Sequence, residues 1–300
     1  MNSGDIEIET SPSVKYYNGV TSPQVHFGTF RIKTTEDVES SVTTALETGY
    51  RAIDTASVYK NQTKISNTLN TVLPHLGLTR RDIFITSKLA PKDHGLSRCE
   101  ESIKNILHDL KTDYLDLFLI HWPGVQKLDA QDPNNRVLRQ ESWRVIEKYY
   151  KAGLLRAIGV SNYTISHMKQ LLEECEVVPH VVQLELHPHY QQRDLVQYCR
   201  DHNIHVQAYS SLGAAGAESP LYTDETVVEI SESTGRTPAQ VLLRWGVQRG
   251  FTVMPKSVTP SRIRENFDLN FSLTQDQMEA LDCMGDSVNK KYTWNPEDIL

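Results

Sequence analysis

Cysteine is scarce in this 300-residue chain: Cys99, Cys175, Cys199 and Cys283 stand far apart, with no CxxC pair and no Cys/His cluster. That scatter excludes a zinc or dithiol centre, so no metal is expected, and it suits a reducing cytosol. Positive charge is also short, 31 basic against 38 acidic residues, which leaves no global field to collect nucleic acid or an anionic membrane. Any anionic ligand must be held by a local basic site. The leading "MNSGDIEIETSPSV" has neither the basic nor the apolar segment of a secretion signal, and no apolar run approaches a membrane span. No composition shift or Pro/Ser-rich linker marks a second domain. The expectation is a cytoplasmic monomer acting on a small molecule, with residues 1–13 unstructured and 14–300 forming one domain whose C-terminal tail closes the pocket.

What is present is alternation. After a possible leading hairpin, "VHFGTF" precedes "TEDVESSVTTALETG", in which Val38, Val42, Ala45 and Leu46 follow helical spacing and Gly49 is a stop signal. The unit recurs as "RAID" and "KISNTLNTVLPHLG", "IFITSKL" and "SRCEESIKNILHDLK", "LDLFLIH" and "SWRVIEKYYKAG", "LRAIGVSN" and "ISHMKQLLEEC". It continues as "VVQLEL" and "DLVQYCRDHN", "IHVQAYS" and "DETVVEISEST", "FTVMPKS" and "SRIRENF". Eight apolar strand runs separated by helices predict parallel pairing and an α/β fold of the (β/α)8 TIM barrel type. A doubly wound sheet is the runner-up, but it would want G-x-G-x-x-G after its first strand, and none is there.

In such a barrel the C-terminal strand ends meet at one rim, where active sites sit. Three adjacent strands then bring together Asp54 with Tyr59 just beyond it, Lys88, and His121. Singly these are a helix cap, a loop aromatic, a solvated charge and a core histidine. Together they are a proton-transfer set.

The segments "GYRAIDTASVYKNQ", "LLRAIGVSNY" and "MPKSVTPSRIRENF" resemble the signature segments of the aldo-keto reductases, in the right order, along a match from about Val14 to Trp294. The resemblance implies NADPH-dependent reduction of aldehydes and ketones by a tetrad of Asp54, Tyr59, Lys88 and His121. The side chains support this chemistry. Hydride addition leaves charge on the carbonyl oxygen, and the Tyr59 phenol can donate the proton. Lys88 is expected to lower the phenol pKa, Asp54 to keep Lys88 charged, and His121 to orient the carbonyl.

By the same resemblance Ser161, Asn162 and Gln183 bind the nicotinamide carboxamide and Tyr209 stacks on the ring. Ser210 and Leu212 join the cofactor cradle. After the eighth strand Lys256, Ser257 and Arg262 surround a helix start, an arrangement suited to a 2′-phosphate, and Glu265 and Asn266 are expected to reach the adenine. Phe30, standing where many relatives have Trp, and Trp122 are the expected pocket wall. Other departures are Gln62 for Glu, Ser66 for Gly, Val182 for Asn and Ser211 for Pro. "SLGAAGAESPLYTDE" is too short for a latch over the cofactor, which suggests rapid cofactor release. A cofactor-sensing binding protein and a hydrolase using Asp54 and His121 remain alternatives. The intact tetrad favours the reductase, and the pocket loops do not name its substrate.

Overall fold

A computed structural model describes residues 12–213 and 219–300. The unstructured segment expected at 1–13 lies outside the described residues except for Pro12 and Ser13, and Ser13 is already paired. It opens an antiparallel hairpin of β1 (Ser13–Lys15) and β2 (Thr21–Pro23).

Eight parallel strands follow: β3 (Phe27–Gly28), β4 (Ala52–Asp54), β5 (Phe84–Leu89), β6 (Leu117–Ile120), β7 (Ile158–Ser161), β8 (Val181–Glu185), β9 (His205–Tyr209) and β10 (Thr252–Val253). Each pairs with the next, and the ends of the sheet meet. Val25 bridges to Val253 in parallel, His26 N donates to Val253 O at 2.8 Å, and Gly28 N donates to Pro255 O at 3.0 Å. The expected (β/α)8 barrel is therefore closed.

The intervening helices are α1 (Thr35–Thr48), α2 (Gln62–His75), α3 (Leu96–Asp109), α4 (Asn134–Lys151), α5 (Ile165–Glu174), α6 (Arg193–Asp201), α7 (Glu225–Thr234), α8 (Pro238–Gln248) and α9 (Pro260–Phe267), with α10 (Gln275–Ser287) after the barrel. The sequence reading lacked α8 and α10. Both begin with a signal it could have used: Thr237 with Gln240, and Thr274 with Gln277, each form a reciprocal capping box. No helix of the described residues is long and apolar enough to cross a membrane.

Strand side chains alternate between two faces, and this period of two builds the site. Ile53, Ile85, Phe118, Ile120, Ile158, Val160 and Val182 join the main core outside the barrel. Their neighbours point inward in layers. At the bottom Tyr16, from the hairpin, plugs the barrel against Ala52, Phe84, Leu117, Ala157 and Val181. In the middle, Gly159 has no room for a side chain, since a Cβ there would lie 2.2 Å from Val181 O. Continuing the same alternation upward puts Asp54, Lys88, His121, Ser161, Gln183 and Tyr209 at the top of the interior.

Candidate active site

Lys88 and Asp54 form the base of the site. Register pairs Asp54 with Thr86, one inward step below Lys88, so the lysine reaches across between strands. Lys88 Nζ donates to Asp54 Oδ1 at 2.6 Å and to Thr55 O at 3.0 Å. Asp54 Oδ2 accepts from Gln183 Nε2 at 2.9 Å. Both members of the pair are buried. Burial pulls the Lys88 ammonium down from its usual range while Asp54 opposes that pull.

Tyr59 follows β4 in a short 3₁₀ turn over Ser57–Tyr59. Its ring lies with its centroid 5.3 Å from Lys88 Nζ, 5.7 Å from the His121 ring in an edge-on arrangement, and 5.1 Å from Phe30. The tetrad is thus assembled. Among the described residues neither the Tyr59 hydroxyl nor the His121 ring nitrogens has a hydrogen-bond partner, so both are open to a substrate oxygen. Burial pushes the His121 imidazole down to about 3, and the nearby Lys88 charge pushes the same way. The neutral ring can donate one hydrogen bond.

One sequence expectation is reversed here. Lys88 was expected to lower the Tyr59 pKa, but the phenol lies well above its ordinary value. Burial is the main cause, followed by the Asp54 charge and Tyr209. Asp54 sits against the ammonium and offsets its field, so desolvation of the phenolate prevails. Tyr59 is a phenol that keeps its proton until something takes it.

The residues expected at the cofactor divide into two groups. At the rim, Asn162 adopts a left-handed backbone, φ 63°. Its Nδ2 donates to His121 O at 2.9 Å and Ser161 Oγ at 3.1 Å, and its Oδ1 accepts from Tyr209 Oη at 2.5 Å. The structure thereby gathers Ser161, Asn162, Gln183 and Tyr209. Gln183 uses its N–H groups on Asp54 and Gln207, and its side-chain oxygen has no partner among the described residues. That open acceptor fits a carboxamide N–H.

The second group lies on and just before α9. Lys256, Arg262 and Glu265 are exposed and Asn266 is buried. Among the described residues neither cation enters an ion pair. Ser257 Oγ accepts from Thr259 N at 3.0 Å, so its hydroxyl shapes the turn into α9. The N-cap residue Thr259 makes no side-chain cap bond, which leaves first-turn N–H groups open to an anion. Two unpaired cations beside an uncapped helix start fit a phosphate. Between the groups Ser210 is left-handed, φ 50°, and accepts from Gly213 N at 2.7 Å, while Leu212 is half-buried. The short span after it includes 214–218, which lie outside the described residues, and the expectation about a latch falls there.

Phe30, 51% exposed, packs 5.1 Å from the Tyr59 ring, and Trp122 is half-buried. The departing residues find local partners. Gln62 Nε2 donates to Ser87 Oγ at 2.7 Å, Ser66 Oγ to Asp109 O at 2.8 Å, and Ser211 Oγ to Ala208 O at 3.0 Å. Val182 packs in the outer core.

The sequence reading expected the C-terminal tail at the pocket but named none of its residues. Trp294 is 81% exposed and meets Trp122 edge-on at 6.2 Å. Thr293 Oγ1 is 3.0 Å from Tyr209 Oη. Glu185, fully buried, accepts from Tyr292 N at 2.5 Å, Thr293 N at 3.0 Å and the Thr293 hydroxyl, and pairs with Lys291 at 3.0 Å. Burial alone would raise the Glu185 pKa. Hydrogen bonds from His187, Thr293 and Tyr292, with the Lys291 charge, hold it down at about 2.

A closed barrel whose rim gathers a protonated phenol, a sealed ion pair and a neutral imidazole defines a class of enzyme built for proton transfer at a polarised bond. Comparison with known proteins narrows the class. The profile of the aldo/keto reductase family matches residues 24–286. Glyoxal reductase of Bacillus subtilis is 36% identical over 289 residues, covering 96% of this chain and 97% of that protein. Methylglyoxal reductase DkgA of Escherichia coli is 36% identical over 266 residues, 88% of this chain and 90% of that one. A Bombyx mori aldo-keto reductase solved in complex with NADP superimposes with a TM-score of 0.83 at 29% identity, covering 92% of this chain and 93% of that one. The chain belongs to the aldo/keto reductase family and is an oxidoreductase acting on carbonyl and CH–OH groups.

Proposed function

We propose that this chain reduces aldehydes and ketones to alcohols with NADPH, and that Tyr59 is the general acid. The observation that carries the reading is the Tyr59 hydroxyl, protonated and without a hydrogen-bond partner among the described residues, beside a neutral His121. Bound NADPH supplies the hydride.

The protein's part is to bind the carbonyl oxygen between two donors. The neutral His121 ring offers one N–H and orients the oxygen, and Tyr59 offers the O–H that is finally transferred. As charge grows on the substrate oxygen, the phenol gives up its proton. The Lys88 ammonium, 5.3 Å from the ring centroid, then favours the phenolate that remains. Asp54 keeps the ammonium charged throughout. Any help Lys88 gives the phenolate is outweighed in the resting site by desolvation and by Asp54, so the phenol stays well above its ordinary value until charge grows on the substrate oxygen.

Lys256 and Arg262 would hold the 2′-phosphate, Ser161, Asn162 and Gln183 the carboxamide, and Tyr209 the ring face. Phe30, Trp122 and Trp294 make an aromatic mouth, and two relatives are named for small dicarbonyls. Glyoxal and methylglyoxal are therefore the first substrates to try, with benzaldehydes as the aromatic arm. The same reading takes the chain to work as a single cytoplasmic barrel, in keeping with four unpaired thiols. The test is NADPH oxidation by the purified protein with each carbonyl. Turnover with at least one class is expected, and none with any would overturn the reading.

A further inference from the structure

Gln207 lies inside the barrel on β9, one inward step below Tyr209, and is fully buried. Barrel interiors are usually filled with branched aliphatic side chains, and a buried amide is unfavourable unless its groups are hydrogen-bonded. This one has partners on both sides. Its Oε1 accepts from Gln183 Nε2 at 3.0 Å, and its Nε2 donates to Tyr16 Oη at 3.3 Å. Gln183 Nε2 also donates to Asp54 Oδ2 at 2.9 Å. A polar chain therefore runs from the hairpin plug, through two amides, to the tetrad.

The direction of every bond in that chain follows from one group. An ionised carboxylate only accepts, so Asp54 must face the Gln183 NH2. The second N–H of that group then needs an acceptor, and Gln207 must turn its oxygen toward it. The Gln207 NH2 is left for the Tyr16 hydroxyl. With both Gln183 N–H groups engaged below, its side-chain oxygen is the atom left for the cofactor.

We propose that Gln207 is a positioning residue: by accepting from the Gln183 side chain it fixes that amide with its oxygen toward the nicotinamide, and so makes the site select a ring that carries a carboxamide N–H. The proposal rests on the nicotinamide cofactor reading above. It adds a residue that no cofactor atom need touch.

The experiment measures equilibrium binding, by quenching of tryptophan fluorescence, of NADP+ and of its 3-acetylpyridine analogue, which has a methyl ketone in place of the carboxamide. Wild type should prefer NADP+ by about three- to tenfold, the worth of one neutral hydrogen bond. In Gln207→Met, similar in length but without the acceptor, that preference should fall to within twofold of unity, through weaker NADP+ binding and unchanged analogue binding. A merely structural role would weaken both dinucleotides equally and leave their ratio at the wild-type value, which would overturn the proposal. Equal binding of the two by wild type would also overturn it, while leaving the NADPH reading intact. Binding of neither would remove both. Should Gln207→Met not fold, side-chain amide resonances of Gln183 in the wild type decide. They should keep their slow exchange and their shifts when NADP+ binds, whereas a large shift of either N–H would show the amide donating to the cofactor and sink the proposal.

Discussion

Lys88 Nζ and Asp54 Oδ1 are 2.6 Å apart with their side chains 1% and 5% exposed, and neither charge can be understood alone. Removing one partner of a buried pair leaves an uncompensated charge and destabilises a protein by about 3–5 kcal/mol, whereas removing both is far milder. Lys88→Met should therefore lower stability by that order in denaturant unfolding. Lys88→Met with Asp54→Asn should recover at least half of the loss and remain inactive. A single variant as stable as wild type would contradict the pairing.

Acid stability follows from buried histidines and from the half-buried His121 and His205. Burial pushes His26 and His121 down to about 3, and His94, His167, His180 and His205 to about 4. In each the folded value lies below the unfolded one of ~6.5, so the unfolded chain binds more protons and stability falls as pH drops from about 6.5 toward 4. Each proton contributes a slope of about 1.4 kcal/mol per pH unit. Unfolding at pH 5 should take up several protons, and His121→Asn should remove about one of them. Reduction should show no acid limb near pH 6.5, because His121 is already neutral there. A limb at that pH that disappears in His121→Asn would contradict the assignment.

The strand ends were legible in the sequence because each apolar run stops at a polar residue, and the barrel brings those stops together. The polar interior was not, because Gln207 and Glu185 sit inside runs that read as buried strand. Counting every second residue back from Tyr209 and from Gln183 would have placed Gln207 and Val181 in the same barrel, one polar and one apolar, and the polar one asks for partners. The direction of the Tyr59 shift was read the wrong way round. It depends on how far the neighbouring side chains desolvate a half-buried phenol and on how closely Asp54 offsets Lys88, and residue types specify neither.

Arg262 tests the phosphate end. It is exposed and carries a charge with no ion pair among the described residues, so Arg262→Ala should leave the fold unchanged. Loss of a charge-assisted bond, roughly 1.5–3 kcal/mol, should weaken NADPH by about 10- to 150-fold and NADH by less than threefold. Fluorescence titration of both cofactors decides, and equal weakening would contradict the placement.

The tail is anchored by Glu185, which receives two backbone N–H groups and the Thr293 hydroxyl. Glu185→Gln keeps the shape and removes the charge that draws those donors and Lys291. The segment should then open at least tenfold more often, read as faster tryptic cleavage after Lys290 and Lys291. KM for benzaldehydes, which would lie against Trp294, should rise more than KM for glyoxal. An unchanged cleavage rate would show that the anchor lies elsewhere, with Arg139 and His167 at Leu300 and Ile299 the next place to look.

With Tyr59 as the general acid, its proton, and no other, ends on the substrate oxygen. Tyr59→Phe deletes that hydroxyl and leaves the ring against Phe30 and His121. The measurement is single-turnover reduction of a good aldehyde by the NADPH-loaded variant, alongside NADPH affinity by titration. The rate should be lower by about two to four powers of ten, with affinity within threefold of wild type. A variant that keeps more than a tenth of the wild-type single-turnover rate would show that another group supplies the proton.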